Sequence, residues 1–118
     1  MTYRLSAVVP LAAALVLGIG VPATAGVSTV HATTVTVTAK DFSFALSRKT
    51  VAAGRVTFAI RNKGRTKHDF SIAGHRSKTI GPGKTTKLTV TLKKGRYPYK
   101  CTVDSHAKLG MKGVLRVT

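Results

Sequence analysis

Glutamate and tryptophan are absent from this 118-residue chain, and cysteine occurs once. A lone cysteine rules out any disulfide within the chain, so the fold must hold without one. Acid of any kind is scarce: three aspartates (Asp41, Asp69 and Asp104) face twenty lysines and arginines, for a formal charge of +17. A field of that size attracts anionic partners, and the attraction falls steeply with salt. Nucleic acid is not the expected partner. The basic residues are spread through nearly every strand and turn, and three tyrosines with four phenylalanines give little of the aromatic platform on which single strands stack. An acidic protein, an anionic membrane or an anionic cell wall fits better, and nothing in the composition points beyond a monomer.

A long apolar run is missing too. Leu5 to Val21 is apolar but interrupted by Pro10, Gly18 and Gly20, and it falls short of the roughly 20 residues of a spanning helix. The basic start Met1-Thr-Tyr-Arg4 precedes it and the small-residue site Ala23-Thr24-Ala25 follows. That order reads as a secretory signal peptide over residues 1–25. A second candidate cut follows Ala32. The expected destination is outside the cytoplasm: periplasmic, extracellular or associated with the cell envelope. Losing Arg4 leaves 19 − 3 = +16. Export places the lone thiol in an oxidising compartment, where it is a liability unless something such as a metal holds it.

Residues 26–33 read as a flexible lead-in to one domain over residues 34–118. In that domain helical periodicity is absent and alternation dominates. Thr34-Val-Thr-Val-Thr38, Phe42-Ser-Phe-Ala-Leu46, Arg55 to Arg61, Asp69-Phe-Ser-Ile72, Lys78-Thr-Ile80, Thr85 to Leu92, Arg96 to Cys101 and Gly113 to Thr118 are strand candidates. Ala53-Gly54, Asn62-Lys-Gly64, Ala73-Gly74, Gly81-Pro82-Gly83 and Lys94-Gly95 punctuate them. Seven or eight short strands at this spacing predict an all-β, antiparallel sandwich or barrel. Pro98 lacks an N–H, so its strand should lie at an edge or carry a bulge there. Alternation puts Tyr97, Tyr99 and Cys101 on one face.

The C-terminal stretch concentrates the chemistry: Cys101-Thr-Val-Asp-Ser-His106-Ala-Lys-Leu-Gly-Met111. Thiolate and thioether favour Cu(I), imidazole suits both copper states, and a His2Cys set with a weak axial Met marks a blue-copper centre. The loop supplies three donors, so a second histidine must come from elsewhere. His68 is the candidate, because it sits at a loop-to-strand junction where a side chain can be aimed. His75 follows Gly74 in a solvated turn, and His31 lies in the lead-in. Each member has a plainer alternative. Cys101 could be an inert buried thiol or, with His106 and Asp104, a nucleophile; Met111 could simply fill a gap in the core. Gly110 would let the loop fold the thioether back.

Asn62-x-Gly64-x3-His68-Asp-Phe70, Pro82-Gly83 and Gly95-x-Tyr97-x-Tyr99-x-Cys101-x4-His106-x4-Met111-x-Gly113-x-Leu115-x-Val117 together resemble the cupredoxins, and among them the plastocyanin-like and azurin-like blue copper proteins. The resemblance spans about Thr34 to Thr118 and implies an eight-stranded Greek-key sandwich. It implies one copper per chain held by His68, Cys101, His106 and Met111. It further implies one-electron transfer to redox partner proteins through the His106 edge, with Ala107, Leu109, Gly110 and Pro82 forming an apolar docking patch. Two positions depart from the plastocyanin pattern. Asp69 replaces the usual Asn, and could brace the backbone beside Cys101. Lys100 replaces the aromatic before the cysteine, so a lateral electron route there is not expected.

The leading expectation is an exported one-electron carrier that is not an enzyme. The absence of a second cysteine excludes a dinuclear CuA centre, and the lack of a His-x-His set excludes a trinuclear oxidase. A copper-delivery protein without redox cycling is the alternative, although delivery favours exposed Met-rich and His-rich sites and only two Met are present. A metal-free basic adhesion sandwich is a third possibility.

Overall fold

The computed structural model describes residues 32–118. Nine strands make up this part of the chain: β1 (Ala32–Lys40), β2 (Ser43–Leu46), β3 (Thr50–Val51), β4 (Gly54–Asn62), β5 (Ser71–Ile72), β6 (His75–Arg76), β7 (Thr85–Leu92), β8 (Gly95–Lys100) and β9 (Lys112–Val117). One 3-10 turn, His106–Leu109, interrupts the last connection. The leader and the lead-in through His31 lie outside the described residues. The end of the lead-in, Ala32 and Thr33, belongs to β1.

Alternation builds the sandwich as the sequence predicts. In β1, Val35, Val37 and Ala39 are fully buried while the threonines between them face outward, and β4 repeats this with Val56, Phe58 and Ile60. β-Branched residues suit such a half-buried pleated surface, where each side chain packs against its cross-strand neighbour. One sheet runs β2-β1-β4-β7 and the other β3-β9-β8-β5-β6. Their inner faces share a core that includes Phe58, Phe70, Ile72, Tyr99 and Leu115. Phe70 is its hub, with ring centroids 4.9 Å from Phe58, 5.3 Å from Tyr99 and 5.4 Å from Phe44.

The sandwich departs from an all-antiparallel one in two pairings. β1 runs parallel to β4 and β3 runs parallel to β9, so both sheets are mixed. After β2 the chain crosses to the second sheet for β3, then returns to lie beside β1 in the same direction, which a simple hairpin cannot do. The expected strand at Lys78–Ile80 is reduced to one bridge between His68 and Ile80, while β3 and β6 are two-residue strands that alternation did not mark.

Pro98 has the edge environment expected of it, in a strand that is otherwise internal. β9 flanks β8 along its whole length, but β5 reaches only Tyr99 and Lys100 on the other side. The missing N–H therefore falls where no second neighbour asks for it. Cross-strand from Tyr99, Gly113 leaves room for the phenol: a Cβ there would strike the hydroxyl end of the ring and come within 2.9 Å of Cε2. Buried and flanked by Phe44 and Phe70, that ring has little room to retreat. Gly113→Ala should therefore destabilise the domain by about 1–3 kcal/mol, as overpacking does. Gly81→Ala, where a Cβ would meet nothing within 4 Å, should leave stability within about 0.5 kcal/mol. Denaturant midpoints of the two variants provide the comparison.

Candidate metal centre

One pole of the sandwich carries a second, smaller core of Ala39, Cys101 and Met111, against which Phe42, Phe44 and Val103 pack. The ends of β1, β4 and β8 supply it, together with the loop from Cys101 to Met111. Cys101 continues the inward face of Tyr97 and Tyr99 one step past the end of β8, and is 1% exposed. The loop after it is tied to itself: the Cys101 amide donates to the Met111 carbonyl (3.0 Å) and the Met111 amide to the His106 carbonyl (3.2 Å). The 3-10 turn then faces His106 inward, 6% exposed, and Leu109 outward, 61% exposed. Gly110 closes that turn at φ 119°.

His68 arrives from the other side of the pole. Its backbone exchanges two hydrogen bonds with Ile80, at 3.1 and 2.9 Å, which fixes the direction of a fully buried imidazole. Its Nδ1 lies 3.9 Å from the Cys101 Sγ, and the His106 Nδ1 lies 3.7 Å from the same sulfur. The three donor atoms are within 4.8 Å of one another. Met111 is fully buried beside Cys101 in the small apolar core at this pole. Of the remaining histidines, His75 is exposed on β6 and His31 lies outside the described residues. A soft thiolate with two imidazoles at one point is a donor set that suits copper, and harder oxygen-seeking cations have no ligand in it. Burial pushes the Cys101 thiol up from its ordinary value, and the charge of Asp69 adds to the rise against two backbone hydrogen bonds that lower it. A metal would take the place of that proton.

Polar braces surround the donors. The Asp69 carboxylate accepts the Thr102 amide (2.6 Å) and the Thr102 hydroxyl, as the sequence anticipated for the backbone beside Cys101. The Arg76 guanidinium stands 4.0 Å away. The buried Asn62 donates to the carbonyls of Thr66 and Ile80, both at 2.8 Å, and accepts the Gly64 amide at 2.9 Å. It thereby staples the loop that delivers His68.

Two residues at this pole were not marked by sequence reasoning. Asp41 reaches the His68 Nε2 at 2.7 Å, accepting also from the Arg65 amide (2.8 Å) and the Thr66 hydroxyl (2.9 Å). The Arg65 amide is the main cause that holds its carboxyl down to about 2, with burial opposing and His68 and Thr66 reinforcing. Phe42 tilts its ring against His106 at 4.7 Å and edges His68 at 6.3 Å. Asp41 and His68 are 27 residues apart, and only the β1–β4 pairing brings them together, so no local signal could have found the contact.

Residues 10–117 match the family model of the cupredoxin-like domain. No curated protein sequence matches the chain. Among solved structures it is similar to auracyanin A, a "blue" copper protein of the green thermophilic photosynthetic bacterium Chloroflexus aurantiacus. That likeness has a TM-score of 0.64 at 21% identity, covering 75% of this chain and 100% of the other. Auracyanin of the photosynthetic bacterium Roseiflexus castenholzii gives 0.57 at 20% identity, over 74% and 96%. The Cu-containing nitrite reductase of Thermus scotoductus gives 0.59 at 19% identity, over 74% of this chain but 28% of the enzyme. At these identities the structural neighbours establish the fold, and with the match over nearly the whole sequence the chain belongs to the cupredoxin-like domain family.

Proposed function

We propose that this protein is an exported type 1 copper protein that carries single electrons between partners and is not itself an enzyme. The observation that supports this most is the convergence of the His68 Nδ1, Cys101 Sγ and His106 Nδ1 in a buried, hydrogen-bonded pole. Copper bound there by His68, Cys101 and His106, with Met111 as a weak fourth ligand, would supply one-electron exchange between Cu(I) and Cu(II). The chain's own contribution is rigidity. Loop hydrogen bonds, Asp69 and Asn62 hold the donors whichever charge the metal carries, so little rearrangement accompanies electron transfer. His106, at 6% exposed the least buried of the four, neighbours the outward Leu109 and offers partners a route in.

Burial weighs against the delivery alternative, since handing copper to another protein calls for ligands that can be reached and exchanged. The leader sequence supports export, and copper would protect the unpaired thiol there. The cationic surface favours acidic redox partners, or anionic membrane or wall surfaces, met by a monomer.

Titration of the purified domain with Cu(II), followed by visible absorption, tests the centre directly. An intense blue thiolate-to-copper band should saturate at one copper per chain and be absent in Cys101→Ser. A pale tetragonal signal unchanged by the substitution would remove Cys101 from the site and the carrier reading with it. Proton release gives an independent check. Burial raises the Cys101 thiol from its ordinary value, so the apo protein should keep its thiol proton at neutral pH. Apparent affinity should therefore rise about tenfold per pH unit between pH 6 and 8 from this group alone, with close to one proton released per copper in calorimetry across buffers. Steering is tested by kinetics: electron exchange with an anionic oxidant such as ferricyanide should slow steeply as salt rises from 10 to 300 mM, because exposed charges are screened. A flat response would show that the charge of +17 does not guide encounter.

A further inference from the structure

We propose that Asp41 is the positioning residue that sets which nitrogen of His68 is free to bind metal. The inference rests on the copper reading for its consequence but not for its geometry. His68 Nε2 faces two groups: the Asp41 Oδ1 at 2.7 Å and the Thr66 Oγ1 at 3.3 Å. An ionised carboxylate only accepts hydrogen bonds. The Thr66 hydroxyl has one proton, and it is directed to Asp41 at 2.9 Å, so a lone pair is what it turns toward His68. Both neighbours of Nε2 are thus acceptors, and Nε2 must carry the proton. Neutral imidazole has one N–H, which leaves the Nδ1 lone pair aimed at Cys101 and His106.

The carboxylate is itself immobilised. The Arg65 amide holds Oδ2 at 2.8 Å and the Thr66 hydroxyl holds Oδ1. The side chain is 23% exposed and the imidazole 0%. Gly64 makes the approach feasible: a Cβ there would strike the Asp41 carboxylate and lie 2.9 Å from the His68 Nε2. The stretch Asn62 to His68 thereby acts as a unit. Asn62 folds the loop, Gly64 clears the space, Arg65 and Thr66 grip Asp41, and Asp41 orients His68. A carboxylate on the far nitrogen of a metal-binding histidine fixes tautomer and ring direction and raises ligand basicity.

Asp41→Asn separates this role from a merely structural one. The Arg65 amide can only donate, so it selects the amide oxygen of the new side chain. The NH2 then faces His68 Nε2, which must become an acceptor and send its proton to Nδ1. A carboxylate-to-amide change that leaves shape intact but imposes the wrong imidazole tautomer is known to disable a catalytic histidine. The test is long-range 1H–15N NMR of the histidine rings in the apo protein, with Cu(II) titration of the same samples. Wild-type His68 should show a proton on Nε2, protected from exchange. In Asp41→Asn it should move to Nδ1, and copper affinity should fall by about 10–100-fold. Lys94→Gln, which neutralises an exposed charge at the end of β8 opposite Cys101, should alter neither. A folded Asp41→Asn protein that keeps Nε2–H and wild-type affinity would overturn the proposal, whatever its melting temperature. So would a wild-type apo protein with its proton on Nδ1, a reading that does not require the variant to fold. Failure of the wild type to bind copper at all, with the tautomer as stated, would sink the proposed function while leaving Asp41's control of His68 in place.

Discussion

The metal pole depends on the burial of one thiol between two imidazoles. A sulfur that ionises readily in water is here placed in a site that disfavours its charge, with Nδ1 atoms 3.9 and 3.7 Å away and little solvent. In that setting the uncharged thiol is comfortable and the bare thiolate is not, so a soft cation becomes the natural counterpart of the deprotonated state. The surrounding hydrogen bonds follow from that demand. The Cys101 amide is tied to Met111, Met111 to His106, Thr102 to Asp69 and His68 to Asp41. Each bond fixes a donor that would otherwise turn away from a crowded, partly desolvated point.

Charge is distributed with a matching asymmetry. The chain carries +17, yet its three carboxylates all lie at or beside the metal pole. Asp41 touches one histidine, Asp69 braces the residue after the cysteine, and Asp104 sits in the loop between Cys101 and His106. Basic residues take exposed positions both around the pole, at Lys67, Arg76 and Lys108, and along the outward face of β8 and β9, at Arg96, Lys100, Lys112 and Arg116. A cationic exterior thus surrounds two carboxylates, Asp41 and Asp69, held against the donors or their neighbours. Negative charge near the ligands stabilises the more highly charged state of a bound cation, while the exterior governs which partners approach.

The structural neighbours show what the fold alone leaves open. The same sandwich makes up nearly all of the auracyanins and about a quarter of a nitrite reductase. A shared architecture therefore does not choose between carrier and enzyme, and function must be argued from the site. What distinguishes this chain is a buried cluster of His68, Cys101 and His106, with His106 beside the exposed Leu109.

The layers of the sandwich and the donor residues of its C-terminal loop were legible in the residues themselves. Strand alternation is a local signal, written every second residue in β1, β4 and β7, so burial could be read from it directly. Cys101, His106 and Met111 share one short loop, and their types alone carry the chemistry. His68 was legible because a three-donor loop implies a fourth, and its loop-to-strand position stood out against His75. The tertiary structure alone decided the parallel pairings of β1 with β4 and β3 with β9, which depend on where the chain crosses between sheets. It also reduced Lys78–Ile80 to a single bridge with His68. Asp41 and Phe42 were likewise brought to the site by the fold. They lie just past β1, far in sequence from His68 and His106; the β1–β4 register carries Asp41 to His68, and packing across the sandwich carries Phe42 to His106. Long-range register is a property of the packed sheets, and no local pattern of residues encodes it.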